Sequence, residues 1–367
     1  MRLNLRRRKL RVGDWIEICG REEILSTLDH NGQLEGMPFM PEMFAFCGQR
    51  FQVYRRAHKT CDTAYPVRGR KVHRAVHLDT RCDGSAHGGC QASCLLFWKE
   101  AWLKPLGRKP QPPGSTGGFP PPQPARRSGC SDRSVWDATQ VASDYHETHG
   151  PRYVCQATQL PYATADLEWW DLRQYLEDYF SGNVSLWRLF CGGAYFLALW
   201  LSRAGIGLGR PIRWCFDHLH PLWRGVPFPR RRGTVPAGER TPDGSLHLQP
   251  GELVRIKPYK EILNTLDVSN RNRGLFFDAE EVPYCGGEYR VQKRVTRILN
   301  ERTGHMREMK TPSFILDSVI CNSRYSECRL FCPRSIYSYW REVWLERVGT
   351  TPGLAPAEKE EQLHPMQ

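Results

Sequence analysis

The chain repeats itself at a constant spacing, which restricts its folds more than any other feature. Gly13-Asp-Trp-Ile-Glu-Ile18 returns 238 residues later as Gly251-Glu-Leu-Val-Arg-Ile256, and Glu23-Ile-Leu-Ser-Thr-Leu-Asp29 returns at the same offset as Glu261-Ile-Leu-Asn-Thr-Leu-Asp267. The register continues through Gly36 and Gly274, Phe39 and Phe277, Glu42 and Glu280, and Cys47-Gly48 and Cys285-Gly286. Phe51 and Val53 then face Tyr289 and Val291, and Trp98-Lys-Glu-Ala-Trp-Leu103 matches Trp340-Arg-Glu-Val-Trp-Leu345 after a short insertion in the second copy. Such a repeat calls for two copies of one folding unit, 12–106 and 251–348, each of ordinary domain size.

Within a unit the pattern is mostly strand. Asp14–Ile18, Leu253–Ile256, Phe51–Arg55 and Tyr289–Lys293 alternate polar and apolar residues as half-buried strands do. Val295–Leu299 and Met306–Lys310 flank Asn300-Glu-Arg-Thr-Gly304, a hairpin turn. Glu22–Leu28 and Trp98–Leu103 each suit one helical turn. The Gly-Asp/Glu-x-Ile/Val-x-Ile opening of both copies resembles the first strand of SH3-like and KOW-type barrels, over about six residues per copy. That resemblance implies a small, mostly antiparallel β module. The cysteine-rich whole is similar to bacterial duplicated-module proteins with no assigned activity. The fold class expected is α+β, two homologous β-rich, SH3-like modules joined by a short helical segment.

Composition places the joints. Proline and glycine crowd 107–134, a linker, and Pro/Gly/Arg-rich sequence fills 225–250, a second one. Between them, 135–224 is the helical connecting segment. Asp166–Phe180 carries apolar residues at helical spacing, stopped by Gly182, and Leu186–Leu201 reads as a more apolar, buried core helix. The 165–201 stretch is also a candidate surface for a protein partner. The polar tail 349–367 is expected to be disordered.

Fourteen cysteines carry whatever chemistry the chain has. The basic N-terminus runs into Val12-Gly13-Asp14-Trp15 without an apolar stretch, so no secretory signal and a cytoplasmic location are expected. In a reducing compartment cysteines serve as metal ligands, reactive thiols or core residues rather than disulfides. The first copy has Cys47 and then Cys82-x7-Cys90-x3-Cys94; the second has Cys285 and then Cys321-x6-Cys328-x3-Cys332. Four converging thiolates suit a tetrahedral Zn²⁺, with an iron–sulfur cluster as the alternative, favoured by Cys332-Pro333. Packing as small hydrophobes is the competing role, and it weighs most for Cys47 and Cys285.

The copies differ in their histidines. Only the first carries His58-Lys-Thr-Cys61-Asp62, His73, His77 and His87. His87 could replace Cys47 in a Cys82–His87–Cys90–Cys94 set. Alternatively His58 activates Cys61 as a thiol nucleophile. No P-loop, GxGxxG after a strand, HExxH or GxSxG is present.

A net charge of +13 favours anionic partners, nucleic acid among them, although part of it is local to Arg2, Arg6, Arg7, Arg8, Lys9 and Arg11. The apolar run Phe190–Leu201 is too short to span a bilayer, so no membrane partner is expected and a buried core helix is favoured over a membrane-embedded or interfacial one. The expected function is non-enzymatic: a zinc-binding, duplicated-module protein that contacts nucleic acid or another protein. The alternative is a redox or biosynthetic accessory enzyme using a cluster or the Cys61/His58 thiol in the first module.

Overall fold

The computed structural model describes residues 9–63, 68–107, 129–141, 150–223 and 225–348. Most of the 107–134 linker, the tail after 349 and the arginines before Lys9 lie outside the described residues.

The chain is α+β, with its strands in several small sheets. In the first repeat, strand Trp15–Ile18 runs antiparallel between Leu103–Gly107 and Arg50–Gln52. In the second, Leu253–Ile256 runs antiparallel between Leu345–Arg347 and Glu288–Leu299, and Met306–Leu316 extends the sheet. The elements between these strands correspond as well. Helical turn Arg21–Leu25 has its counterpart in Tyr259–Leu263. The miniature hairpin Gln33–Leu34 with Met37–Pro38 has one in Arg271–Asn272 with Leu275–Phe276.

Local chemistry sets these elements. Both hairpins turn through consecutive left-handed residues, Glu35 (φ 52°) and Gly36 (φ 76°) in one and Arg273 (φ 47°) and Gly274 (φ 81°) in the other. That is the backbone of the tight turn whose twist suits antiparallel strands, and the glycine makes its second position inexpensive. Alternation along Trp15–Ile18 buries Ile16 and Ile18, as it buries Val254 and Ile256 in the second copy. Ile24, Leu28, Phe39, Trp98 and Trp102 fill one core, and Ile262, Leu266, Phe277, Trp340 and Trp344 fill the other. Each buried aliphatic side chain contributes roughly 1.5–3 kcal/mol and the aromatic rings more, so either core can hold its sheet.

The first repeat carries additional sheets that position the candidate site. Strand Ala75–Arg81 lies between Arg55–Arg56 and Leu95–Lys99. Arg68–Lys71 lies between Lys59–Asp62 and Ala165–Leu167. That last pairing explains one departure from the sequence reading. Helix begins only at Arg173, in Arg173–Ser181, because 165–167 hydrogen-bonds to a sheet edge instead.

Helix Gly209–Leu219 falls within the expected helical segment 135–224. Two further expectations are corrected. Helix Leu186–Arg203 is not a buried core helix, because one of its faces is exposed. The 225–250 stretch is irregular but packed, with Val226, Leu246 and Leu248 against the second core and Gly233 close to the Leu266 and Asp267 carbonyls.

Candidate metal centre

Strand Ala75–Arg81 delivers the chain to Cys82, and the Cys82 N–H donates to the Cys94 carbonyl at 2.8 Å, closing the neck of the 82–94 loop. Inside it, His87 N–H and Gly89 N–H both donate to the Gly84 carbonyl, at 3.2 and 2.9 Å. Gly84 has φ +79°, and a Cβ there would lie 2.1 Å from the Cys90 carbonyl oxygen, so only glycine suits this fold-back. The result returns His87 Nε2 to 3.3 Å from Cys82 Sγ.

Glu42 reaches the pair from the 3-10 turn Pro41–Phe46. Its carboxylate, the Cys82 sulfur and a His87 ring nitrogen all lie within 4.8 Å of one another, the one such trio among the described residues. Both Glu42 oxygens and His87 Nδ1 are buried and none is in a well-formed hydrogen bond. Burial raises the Glu42 pKa, a tendency its own backbone N–H and the Cys82 thiol only partly offset. Burial, followed by the Glu42 charge, pushes the Cys82 thiol up. Burial also pulls His87 down, so all three groups resist charging. A divalent cation reverses that balance, since it holds carboxylate, thiolate and neutral imidazole in their ligand forms.

The expected cysteines are not all in this trio. Cys90 and Cys94 line one cavity with Cys82, His87 and Cys155 but stand outside the trio. Cys90 Sγ accepts the Leu299 N–H at 3.3 Å. Burial raises Cys94 to about 11 and Cys155 to about 12. Cys47 caps the 3-10 turn, packs on the first core and has Arg21 and Asp132 as its charged neighbours. Cys285 holds the equivalent cap beside the second core, with its thiol 3.8 Å from the Glu281 carbonyl.

The second repeat treats the equivalent carboxylate differently. Glu280 is buried and accepts hydrogen bonds from Arg324 N–H at 2.9 Å, from Tyr325 N–H, and from the Ser326 hydroxyl at 3.0 Å. Cys321 Sγ lies 3.5 Å from Ser323 Oγ, while Cys328 sits among Glu327, Arg329 and Arg230. Cys332 meets Cys61 of the first repeat instead. The Cys61 thiol is held below its ordinary value, first by a hydrogen bond from Cys332 and then, against burial, by the charges of Arg334 and Arg329.

His58 does not serve Cys61. Its Nε2 lies 3.2 Å from the Gln174 carbonyl and 3.3 Å from Asp178, and burial lowers it to about 4. His58 precedes strand Lys59–Asp62, which carries Cys61, and its ring is turned to the Gln174 carbonyl and Asp178. His73 pairs with Glu35 at 3.2 Å, and His77 is buried with Nδ1 2.8 Å from the Leu96 carbonyl.

Sequence reasoning missed Glu42 and Cys155. The retained pair Glu42 and Glu280 was the available signal for the first; Cys155 lay in a segment read as connecting helix. No family model matches the sequence, and no curated protein matches it.

Proposed function

We propose that the chain is a zinc-binding protein of two homologous, duplicated modules, acting by binding rather than catalysis. The first module holds the ion through Glu42, Cys82 and His87, with Cys90 as the fourth donor. The contrast between Glu42 and Glu280 carries this reading. One carboxylate of the repeated pair accepts three hydrogen bonds from the 324–326 segment of its own repeat, and the other, buried beside a thiol and an imidazole, has no well-formed hydrogen bond. Leaving such a carboxylate uncompensated costs several kcal/mol, which a cation removes. The mixed oxygen, nitrogen and sulfur donors suit zinc better than an iron–sulfur cluster, which calls for thiolates.

A redox role through Cys61 and Cys332 is the second reading, supported by the depressed Cys61 thiol beside two arginines. Metal analysis of protein purified without oxygen separates the two. About one zinc per chain is expected, with loss in Glu42→Gln, Cys82→Ser and His87→Ala and retention in Glu280→Gln. Metal-free folded protein, or the absorption near roughly 400 nm typical of a cluster, overturns the zinc assignment.

A further inference from the structure

Seventeen of the twenty-one large hydrophobic side chains exposed among the described residues fall between Tyr162 and Leu222. The densest set is on helix Leu186–Arg203. One face of that helix is occupied, with Gly192 against the Phe331 ring and Tyr195 edge-on to Tyr325 at 5.0 Å. On the other, Leu186, Trp187, Phe190, Leu197 and Trp200 recur at helical spacing, each more than half exposed. A helix at a water boundary carries polar residues there, yet 189–201 contains no charged residue.

Basic residues outnumber acidic ones along this segment. Residues 182–222 hold Arg188, Arg203, Arg210 and Arg213 against the single acid Asp217. Arg210 and Arg213 are exposed on helix Gly209–Leu219 beside Trp214. Arg203, at the end of the apolar helix, lines a hollow together with Arg230, Arg231 and Arg232. Glu327 contacts Arg203 at 2.8 Å and Arg230 at 3.5 Å, and Asp217 pairs with Arg231, so two carboxylates answer four arginines.

We propose that this face seats on a bilayer surface containing anionic lipid, with the aromatic–aliphatic stripe in the headgroup–acyl boundary and the arginine hollow over lipid phosphates. An interfacial helix combines an apolar face, tryptophan and flanking arginine in this way. No helix among the described residues is long and apolar enough to cross a membrane, so this one lies along the surface. A second copy is a poorer occupant, because its matching face carries the same excess of arginine and offers no anionic complement. Nucleic acid would use the arginines but gain nothing from Leu186 and Leu197. The assignment reverses the expectation that the chain has no membrane partner, and it is independent of the metal site.

The test is co-sedimentation of the full chain with phosphatidylcholine vesicles, with and without phosphatidylserine. Binding is expected on the anionic vesicles and at least about fivefold weaker on neutral ones. Trp187→Ser with Trp200→Ser should abolish it while circular dichroism and Tm stay unchanged, and Arg232→Gln should weaken it about fivefold. Three results overturn the proposal: no vesicle binding by folded protein, a solution dimer dissolved by the same double substitution, or oligonucleotide binding without any vesicle binding.

Discussion

Trp102 donates its indole N–H to the Thr27 hydroxyl at 3.0 Å. Trp344 makes the same bond to Thr265 at 2.8 Å, and each threonine passes its own proton to the carbonyl three residues back, Ile24 or Ile262, at 2.7 Å. Phe39 and Phe277 meet these tryptophans edge-on at 5.2 and 5.3 Å. Each core thus carries the same polar thread among apolar side chains, and the thread ends on a backbone acceptor.

Cutting that thread should cost the same in either repeat. Thr27→Val and Thr265→Val each leave a buried indole N–H unpaired, a loss of about 1–3 kcal/mol. Urea unfolding followed by tryptophan fluorescence measures it. A loss under a few tenths of a kcal/mol in either variant would mean that the indole finds another acceptor.

Metal removal should act through Glu42. Binding confined to the folded state raises stability by mass action, so chelation should lower Tm by several degrees in the native chain. Glu42→Gln should start at the lower Tm and respond little to chelator. Equal shifts in both proteins would place the ion elsewhere.

Stability should fall on the acid side because of His77. Its ring is buried with no exposure, and burial depresses its pKa from 6.5 to about 4. The unfolded chain therefore binds more protons between those values. The contribution is fully present above pH 6.5 and is lost as pH falls toward about 4. It amounts to about 3 kcal/mol at most. His77→Phe should flatten that part of the stability–pH curve in urea titrations at a series of pH values. Asp178, raised to about 6 by burial, works in the opposite direction and should steepen in relief once His77 is gone.

Arg334 ties the second repeat to the first. It is buried, bonds to Glu301 at 2.7 Å and reaches the Cys61 carbonyl at 3.4 Å. Arg334→Met leaves Glu301, which is partly exposed, without its cationic partner, a loss of roughly 1–3 kcal/mol. It also removes a charge that holds Cys61 low, so the pH midpoint of thiol alkylation should rise. An unchanged midpoint would leave the Cys332 hydrogen bond and Arg329 as the causes.

Much of the scaffold was readable in advance. Alternation marked Leu253–Ile256, and the Asn300–Gly304 turn marked the long hairpin, because strand period and turn chemistry are local. The bounds of the helix at 209–219 were not readable, since Gly205, Gly207 and Gly209 carry the same local signal whether they end one helix or precede another. Two of the three residues of the candidate site were readable too. Cys82 and His87 belong to one short loop whose glycines turn it back, whereas Glu42 comes from a separate turn.

By itself, then, the sequence determined the repeat at its constant offset, the strand-rich units and the cysteine loop that begins at Cys82. Periodicity and turn propensity act over a few residues, and the second copy supplies a comparison within the chain. Only the tertiary structure decided which residues meet. It set Glu42 beside Cys82 and His87, parted Cys47 from them, joined Cys61 to Cys332 across the repeats, and left the apolar stripe of 186–200 in the open. Such meetings depend on how distant segments pack, and nothing within one segment records the partner that another will bring.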